Sequence, residues 1–564
     1  MHAGERADMS RQKKTKTKNR TNYIMQGSIL AAASILSRII GMLYRLPVTN
    51  IITDHGNDYY SAAYEIYNII LLISSYSLPL AVSKLVSAKA ALGQYRNAYR
   101  IFKGALYMAL VVGLAGSAVT YLGAGFFTGS LLNTPESELS LKVLALAVFF
   151  LAVMGVLRGF FQGMGSMMPT AVSQVIEQIF NAVVSITAAS LLFRYGVSLD
   201  EKAGIADGRS GPIYGAAGST LGTSLGALSG LIFLIIVMLM YNRVLQRQMK
   251  RDRTGSRESY GTVFKLLVLT IVPVILSTAV YNISGVLDQG LFKYLMLDVQ
   301  KMEKSVVEVY WGIYVGKYKL LTNVPIAVAS ALSASTIPAL TRARMEGNRK
   351  EMRRKTDGAI RMVMFICIPS AFGLTALAEP ILNLLSWNTD PIAPKLFWAG
   401  SMAVIFYGLS TLTNGILQGI DRMHIPVRNA LISLALHLGL MVVLVQVFQL
   451  HIFGVVLSYL FFAVMMCILN GLAIRRHLRY RQELVHTFVI PVVSSTIMGL
   501  TCWLVSIPLE DLIGVRFTAV VCIILAVFIY GFFMLILRGI TEQELAAFPK
   551  GHVLVRILKK MHLL

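Results

Sequence analysis

Apolar runs of about 20 residues recur from one end of this chain to the other, and a run of that length crosses the hydrocarbon layer of a bilayer as a single helix. They fall at 24–46, 60–83, 103–125, 141–162, 169–194, 213–241, 262–288, 308–334, 358–385, 396–419, 427–448, 452–474, 487–506 and 514–537. Only 14% of the 564 residues are charged and 55% are hydrophobic, whereas soluble domains carry about 25% charged residues. The pattern predicts an all-α polytopic membrane protein with 14 transmembrane helices, and it disfavours a soluble enzyme with a few buried helices.

The basic residues are unevenly distributed. Of 52 Lys and Arg, 38 lie in the segment before the first span, in the alternate loops 84–103, 242–265, 341–361, 420–428 and 475–481, and in the tail from Arg538, while the opposite loops hold six. By the positive-inside rule the basic side is cytoplasmic, so both termini are expected in the cytoplasm. The net charge of +24 then coats the face where anionic lipid is the expected partner, and nucleic acid is not needed to explain it. No cleavage site follows the basic start RQKKTKTKNR, so the first span is expected to be retained. Cys367, Cys467, Cys502 and Cys522 are scattered through apolar spans, with neither a disulfide nor a metal spacing. No Walker loop, metal-ligand helix or nucleophilic triad occurs, so an ATPase or other enzyme is not expected.

The chain also resembles itself. RGFFQGMGSMMPTAVSQ (158–174) and NGILQGIDRMHIPVRNA (414–430) each end a span in Gln-Gly, turn, and restart with a proline in the first helical turn, where its missing N–H is not needed. Upstream, PLAVSKLVSAKAALGQYRNAYR (79–100) pairs with PIAVASALSAST…RARMEGNRKEMRR (325–354), and Gly41 pairs with Gly285. Spans 1–6 are therefore expected to match spans 7–12 as a parallel repeat, with the binding site between the halves. The expected organisation is a basic N-terminus (1–23), a first lobe (24–241), a basic linker (242–261), a second lobe (262–474), two extra helices (487–537) and a cytoplasmic tail (538–564).

A charge at the centre of a spanning helix costs about 2.5–3.5 kcal/mol on insertion scales, so polar residues inside spans single out candidates. In span 1, Ser34, Arg38, Gly41 and Arg45 share one face. In span 5, Gln174, Glu177, Gln178, Asn181 and Ser185 form a stripe, which is either a cavity wall or a polar seam between packed helices. Lys317 and Lys319 lie in span 8. Arg158, within about a turn of a span end, either snorkels or joins the cavity. A cation site is read at Asp288 with Asn429 or Ser433; Asp288 could equally be a counter-ion for Lys317 or a residue at an outer helix end. A cavity lined by Arg38, Arg45, Arg158, Gln174, Glu177, Asn181, Lys317 and Lys319 is basic and rich in amides, which suits a phosphate-bearing, glycan-like substrate. No metal or organic cofactor is expected.

The stretches LRGFFQGMGSMMPTAVSQVIEQIFN, SRIIGMLYRLP and YNIILLISSYSLPLAVSKLVS resemble the SpoVB/YtgP group of polysaccharide-biosynthesis membrane proteins. That group lies within the MOP (MATE-like) exporter superfamily and is related to the MurJ lipid II flippases. The resemblance implies two six-helix lobes plus two helices that form a groove for a lipid tail, at 487–537 here. It further implies a bacterial cytoplasmic membrane, an undecaprenyl-pyrophosphate-linked cargo flipped outward by alternating access, coupling to a monovalent cation or the membrane potential, and cell-wall synthesis proteins as partners. In the MurJ-like first helix a Ser/Thr-Arg…Gly…Arg pattern lines the cavity, and Arg38 and Arg45 match it, seven rather than six residues apart. Lipid II is the expected cargo; another lipid-linked glycan (teichoic, capsular or spore cortex), or drug export coupled to cations, are the alternatives.

Overall fold

The computed structural model describes residues 2–205, 208–254, 258–387 and 390–540, apart from the side chains of 2–28, 31, 76, 273, 274 and 276–282. The side chains of the basic N-terminus 1–23, and the tail beyond Ile540, thus lie outside the described residues. The architecture is helical, with no strand among the described residues. The chain divides into two compact units, Met1–Gly290 and Leu291–Leu564.

The first unit contains α1 (His2–Leu71), α2 (Leu78–Ala91), α3 (Tyr95–Leu122), α4 (Glu138–Gly163), α5 (Met168–Ala203), α6 (Ser210–Arg251) and most of α7 (Tyr260–Lys293). The second contains α8 (Lys304–Ile313), α9 (Leu320–Met345), α10 (Arg349–Ala376), α11 (Ala378–Leu384), α12 (Ile392–Gly400), α13 (Ala403–Gly419), α14 (His424–Gln446), α15 (His451–Leu478), α16 (Ile490–Ile513) and α17 (Val515–Ile536). Among the described residues 11 helices are long and apolar enough to cross a membrane, or 12 if the pair α12–α13, bent by 49°, counts as one. The stretch Ala32–Ala91 is 60 residues long, enough for two crossings, and α7 adds a shorter apolar piece, Tyr260–Val272. The structure is thus compatible with 14 spans.

The two expected helices at 24–46 and 60–83 meet at a sharp break inside α1. Thr53 adopts φ 64° and ψ −179°, and Asn57 Nδ2 donates to the carbonyls of Thr49 and Thr53 at 3.1 and 2.7 Å. Arg45 and Tyr60 would lie about 22 Å apart along a straight helix, yet they touch. The chain therefore folds back at Thr53. The bend between α12 and α13 has its own cause. Tyr318 Oη donates to the Gly400 carbonyl at 2.8 Å, taking that oxygen out of the helical ladder at a Gly400-Ser401 pair, a usual place for a kink.

The two expected repeats reproduce each other's local structure. α2 ends at a left-handed Gly93 (φ 73°) and α9 at Gly347 (φ 67°). In both turns the next N–H reaches back five residues, Gln94 to the Lys89 carbonyl at 2.9 Å and Asn348 to the Ala343 carbonyl at 3.0 Å. This is the Schellman termination that glycine favours. The Gln-Gly ends also pack alike: a Cβ on Gly163 would stand 2.8 Å from Val86 Cβ, and one on Gly419 would stand 2.9 Å from Leu340 Cβ. Small residues let these backbones approach, as they commonly do in membrane helices.

By sequence α7 opens the second repeat, but its first half packs into the first unit. Val263, Leu267 and Ile271 are buried in one cluster with Ile101, Phe102 and Ala105 of α3, and a Cβ on Gly104 would lie 2.8 Å from Val263. Several helices also outrun their apolar stretches, so that α6, α10 and α15 carry basic residues expected in loops.

Candidate functional site

In the first unit the polar face of α1 meets the stripe of α5. Ser34 Oγ donates to Gln174 Oε1 at 3.1 Å, a Cβ on Gly41 would lie 3.4 Å from Gln178 Oε1, and Asn181 Nδ2 donates to Tyr44 Oη at 3.2 Å. Part of the stripe is therefore a seam between packed helices. Arg38 is exposed and lies between Ser34 and Gly41 on the same helical face. Arg45 sits one turn further on, with its Cζ 3.7 Å from the centre of the Tyr60 ring. Tyr60 stacks on Tyr64 at 4.5 Å, and the Tyr64 and Thr223 hydroxyls share a 2.6 Å hydrogen bond. Arg45 Nη1 is buried and has no hydrogen-bond partner among the described residues. A buried donor left in that state costs about 1–3 kcal/mol, and more when it is charged, so this guanidinium suits an incoming oxyanion.

Arg158 and Glu177 occupy each other. Arg158 Nη2 lies 2.7 Å from Glu177 Oε2, with 13% and 18% of the side chains exposed, and Arg158 Nε donates to Ser173 Oγ at 2.9 Å. This links α4 to α5 across the Gln-Gly turn and cancels two of the candidate charges.

Asp288 is buried on α7, accepting from Ser284 Oγ at 3.4 Å. The neighbouring Gln289 ties α7 to the second limb of α1: its Nε2 donates to Asp58 Oδ1 and its Oε1 accepts from Ser61 Oγ, both at 3.2 Å. A Cβ on Gly285 would strike the Glu65 carboxylate at 2.1 Å. Asp58, Ser61 and Gln289 were not among the sequence candidates. The signal was the helical spacing of Asp58, Ser61, Glu65 and Asn68, obscured because 47–59 reads as an outer loop.

Asp288 belongs to the first unit, whereas Asn429 and Ser433 belong to the second. Asn429 Nδ2 donates to Asn470 Oδ1 at 2.9 Å, and Asn470 Nδ2 donates to Asn414 Oδ1 at 2.7 Å. Ser433 is buried one turn along α14. No group of three or more His, Cys, Asp or Glu poised for a metal occurs among the described residues.

Lys317 and Lys319 sit on a π-helical turn, Tyr314–Lys319, between α8 and α9; such turns often mark functional sites. Lys317 is 2% exposed. The Lys319 ammonium lies 5.0 and 5.4 Å from the ring centres of Tyr314 and Tyr459, and Tyr459 stacks on Tyr407 at 4.1 Å. Sugars favour such aromatic faces, but no sequence pattern announced this one.

The second unit also holds an open groove of about 760 Å³ between α9, α10, α16 and α17, lined among others by Pro325, Phe365, Gly373, Met498, Val527 and Gly531. Its polar groups are internally satisfied: Tyr530 Oη donates to the Phe365 carbonyl at 3.0 Å and Ser370 Oγ to the Ile366 carbonyl at 2.7 Å. Such a surface suits an alkyl or isoprenoid chain. All four cysteines are free.

Residues 26–344 match the family model described as "Polysaccharide biosynthesis protein". The chain is similar to "Lipid II flippase MurJ" of Bacillus subtilis (strain 168), with 25% identity over 85% of this chain and 88% of that protein. It is also similar to "Stage V sporulation protein B" of the same organism, with 21% identity over 94% and 98%. Among solved structures, a lipid II flippase MurJ in an inward closed conformation shares the fold, with TM-score 0.63 and 14% identity over 90% of this chain and 98% of that one. An inward-facing multidrug resistance MATE family transporter of the MOP superfamily shares it at TM-score 0.58 and 13% identity, over 78% and 98%.

Proposed function

Because the chain belongs to the polysaccharide biosynthesis protein family, we propose that it is a flippase carrying an undecaprenyl-pyrophosphate-linked cell-wall precursor, lipid II, from the inner to the outer leaflet by alternating access. The observation that carries this reading is the buried Arg45 Nη1 with no hydrogen-bond partner among the described residues, on the same helical face as the exposed Arg38. A cargo pyrophosphate would supply the missing acceptor, and a guanidinium binds it through a two-pronged donor fork. The groove beside α16 and α17 takes the isoprenoid tail, and Lys319 with Tyr314, Tyr407 and Tyr459 offers the glycan a polar and aromatic wall. The basic face lies in the cytoplasm of a bacterium, with both termini there. A monovalent cation or the membrane potential drives the cycle, the latter worth about 2.3 kcal/mol per charge per 100 mV.

The test is growth and outward lipid II flipping in a bacterium depleted of its own lipid II flippase. Wild-type protein should restore both, and the Arg38→Ala, Arg45→Ala double variant, expressed to the same level, should restore neither. Full rescue by that variant would defeat the reading. The likeness to a stage V sporulation protein favours one second reading, a flippase for another lipid-linked glycan. In that case wild-type protein fails to rescue, and a different lipid-linked precursor accumulates on the inner leaflet when the gene is lost.

A further inference from the structure

A second basic site lies at the other end of the first unit, apart from Arg38 and Arg45. The first turns of α3 and the last turns of α6 enclose a cleft of about 400 Å³ lined by Arg96, Tyr99, Arg100, Gln246, Met249 and Lys250. The two arginines are held by main-chain oxygens, not by acids: Arg96 Nε donates to the Met249 carbonyl at 3.1 Å and Arg100 Nη1 to the Glu258 carbonyl at 2.6 Å. These bonds fix the guanidinium groups without cancelling their charge. The adjacent acid, Asp252, accepts from the Arg96 main-chain N–H at 2.9 Å and from Thr254 Oγ1 at 2.6 Å. The Thr254 hydroxyl and the Arg96 N–H hold its carboxyl below the usual range against the opposing effect of burial, and the Arg96 charge adds to this. No carboxylate forms an ion pair with the side chains of Arg96, Arg100 or Lys250 among the described residues.

The second repeat shows what a closed version of this corner looks like. Arg96 and Arg100 correspond, 254 positions on, to Lys350 and Arg354. There Glu351 lies 2.9 Å from Arg354 and 3.7 Å from Lys355, so the charge is partly matched within the helix. The first repeat has no acid at the equivalent place, where residue 97 is Asn.

The surroundings favour a lipid over a soluble anion. From Arg100 the α3 face continues through Lys103 to Tyr107, Val111 and Leu114, all at helical spacing and all exposed. From Lys250 the α6 face continues through Arg247 and Arg243 to Met240 and Ile236, also exposed. Each helix therefore presents cations that give way to an apolar strip, the order in which a phospholipid presents its head group and its chains. We propose that this cleft binds the phosphate of an anionic phospholipid head group on the basic face of the membrane, with the acyl chains lying along α3 and α6. A free phosphate shares the head-group chemistry but has no use for the strips.

The full-length chain, purified in detergent with equimolar phosphatidylglycerol and phosphatidylcholine, tests this by native mass spectrometry. Wild-type protein should retain phosphatidylglycerol selectively. With about a fivefold contribution per basic residue near a membrane surface, the Arg96→Gln, Arg100→Gln, Lys250→Gln triple variant should lose roughly a hundredfold in that selectivity. Lys250→Gln bridges no helices, so it keeps the test decisive should the triple variant misfold, and it should lose about fivefold. Lys350→Gln with Arg354→Gln should change nothing, and millimolar inorganic phosphate should not displace the lipid. Unchanged selectivity in Lys250→Gln and in a folded triple variant would overturn the site. Displacement by millimolar inorganic phosphate would overturn its assignment to a lipid.

Discussion

Arg45 and Tyr60 stand on opposite limbs of the α1 hairpin, 15 positions apart, and the guanidinium Cζ lies over the ring, 3.7 Å from its centroid. The ring supports the charge, while Nη1 stays buried with no hydrogen-bond partner among the described residues. A contact of this kind contributes about 0.5–2 kcal/mol, so Tyr60 positions the arginine for whatever anion it meets. Tyr60→Ala should lower flipping by about tenfold while Tyr60→Phe, which keeps the π face, remains near wild type. Arg45→Lys should fail where a charge alone would suffice, because an ammonium lacks the planar fork. Rescue assays at matched expression check both.

The groove offers a test that leaves the rest of the site alone. A Cβ at Gly531 would meet nothing within 4 Å, and the residue lines the open space. Gly531→Phe should fill that space and reduce flipping at least tenfold. Thermal stability should stay within about 0.5 kcal/mol of wild type, as for substitutions away from packed features. Normal flipping with a filled groove would separate the groove from the cargo.

The Arg158–Glu177 pair distinguishes a clasp from a cargo contact. Removing one partner of a largely buried charged hydrogen bond costs about 1.5–3 kcal/mol, so Glu177→Ala should lower the melting temperature in detergent. Replacing both residues with methionine should recover most of that loss. If the double variant also flips cargo normally, the pair fastens α4 to α5 and does not bind phosphate. A loss of flipping with stability intact would return Arg158 to the cavity.

Glu483 gives a prediction in pH. Its carboxylate accepts the main-chain N–H groups of His486 and Thr487, both at 2.9 Å, and so caps the turn that leads into α16. Burial pushes its pKa up, but these bonds, with those from the His486 ring at 3.1 Å and the Thr487 hydroxyl at 3.0 Å, outweigh burial and hold it at about 2, below the ordinary 4.5. A depressed carboxyl stabilises the folded state fully above the unfolded value, and the contribution fades as pH falls through the folded one. The melting-temperature gap between wild type and Glu483→Gln should therefore close as the pH falls from about 4.5 towards 2. A gap that persisted unchanged to pH 2 would contradict this cap.

Much of the architecture was legible because membrane spans are local. Apolar length marks a helix without any knowledge of its neighbours, and the Gln-Gly ends and prolines at 169 and 426 mark a repeated turn. The polar face of span 1 was equally visible, since Ser34, Arg38, Gly41 and Arg45 lie on one helix. What the residues could not announce depends on distant partners. Arg158 and Glu177 look like separate candidates until α5 turns back on α4. Asp58 and Gln289 are 231 positions apart and become one hydrogen-bonded unit. A reversal between 46 and 60 was expected from the two spans, but the break falls on a left-handed threonine, Thr53, and not on Gly56, so its exact place was not legible. The aromatic wall around Lys319 draws on the turn Tyr314–Lys319, α13 and α15. Helix ends beyond the bilayer escape an apolarity criterion, because there the helix continues on polar residues.

The groove beside α17 carries a last implication. Its hydroxyls, on Tyr530 and Ser370, already donate to carbonyls of α10, so the walls have no spare donor with which to tell one hydrocarbon from another. A surface of that kind measures bulk and reach. Polyprenyl tails of differing unsaturation should be interchangeable there, and the choice of which molecule travels must be made at its polar end.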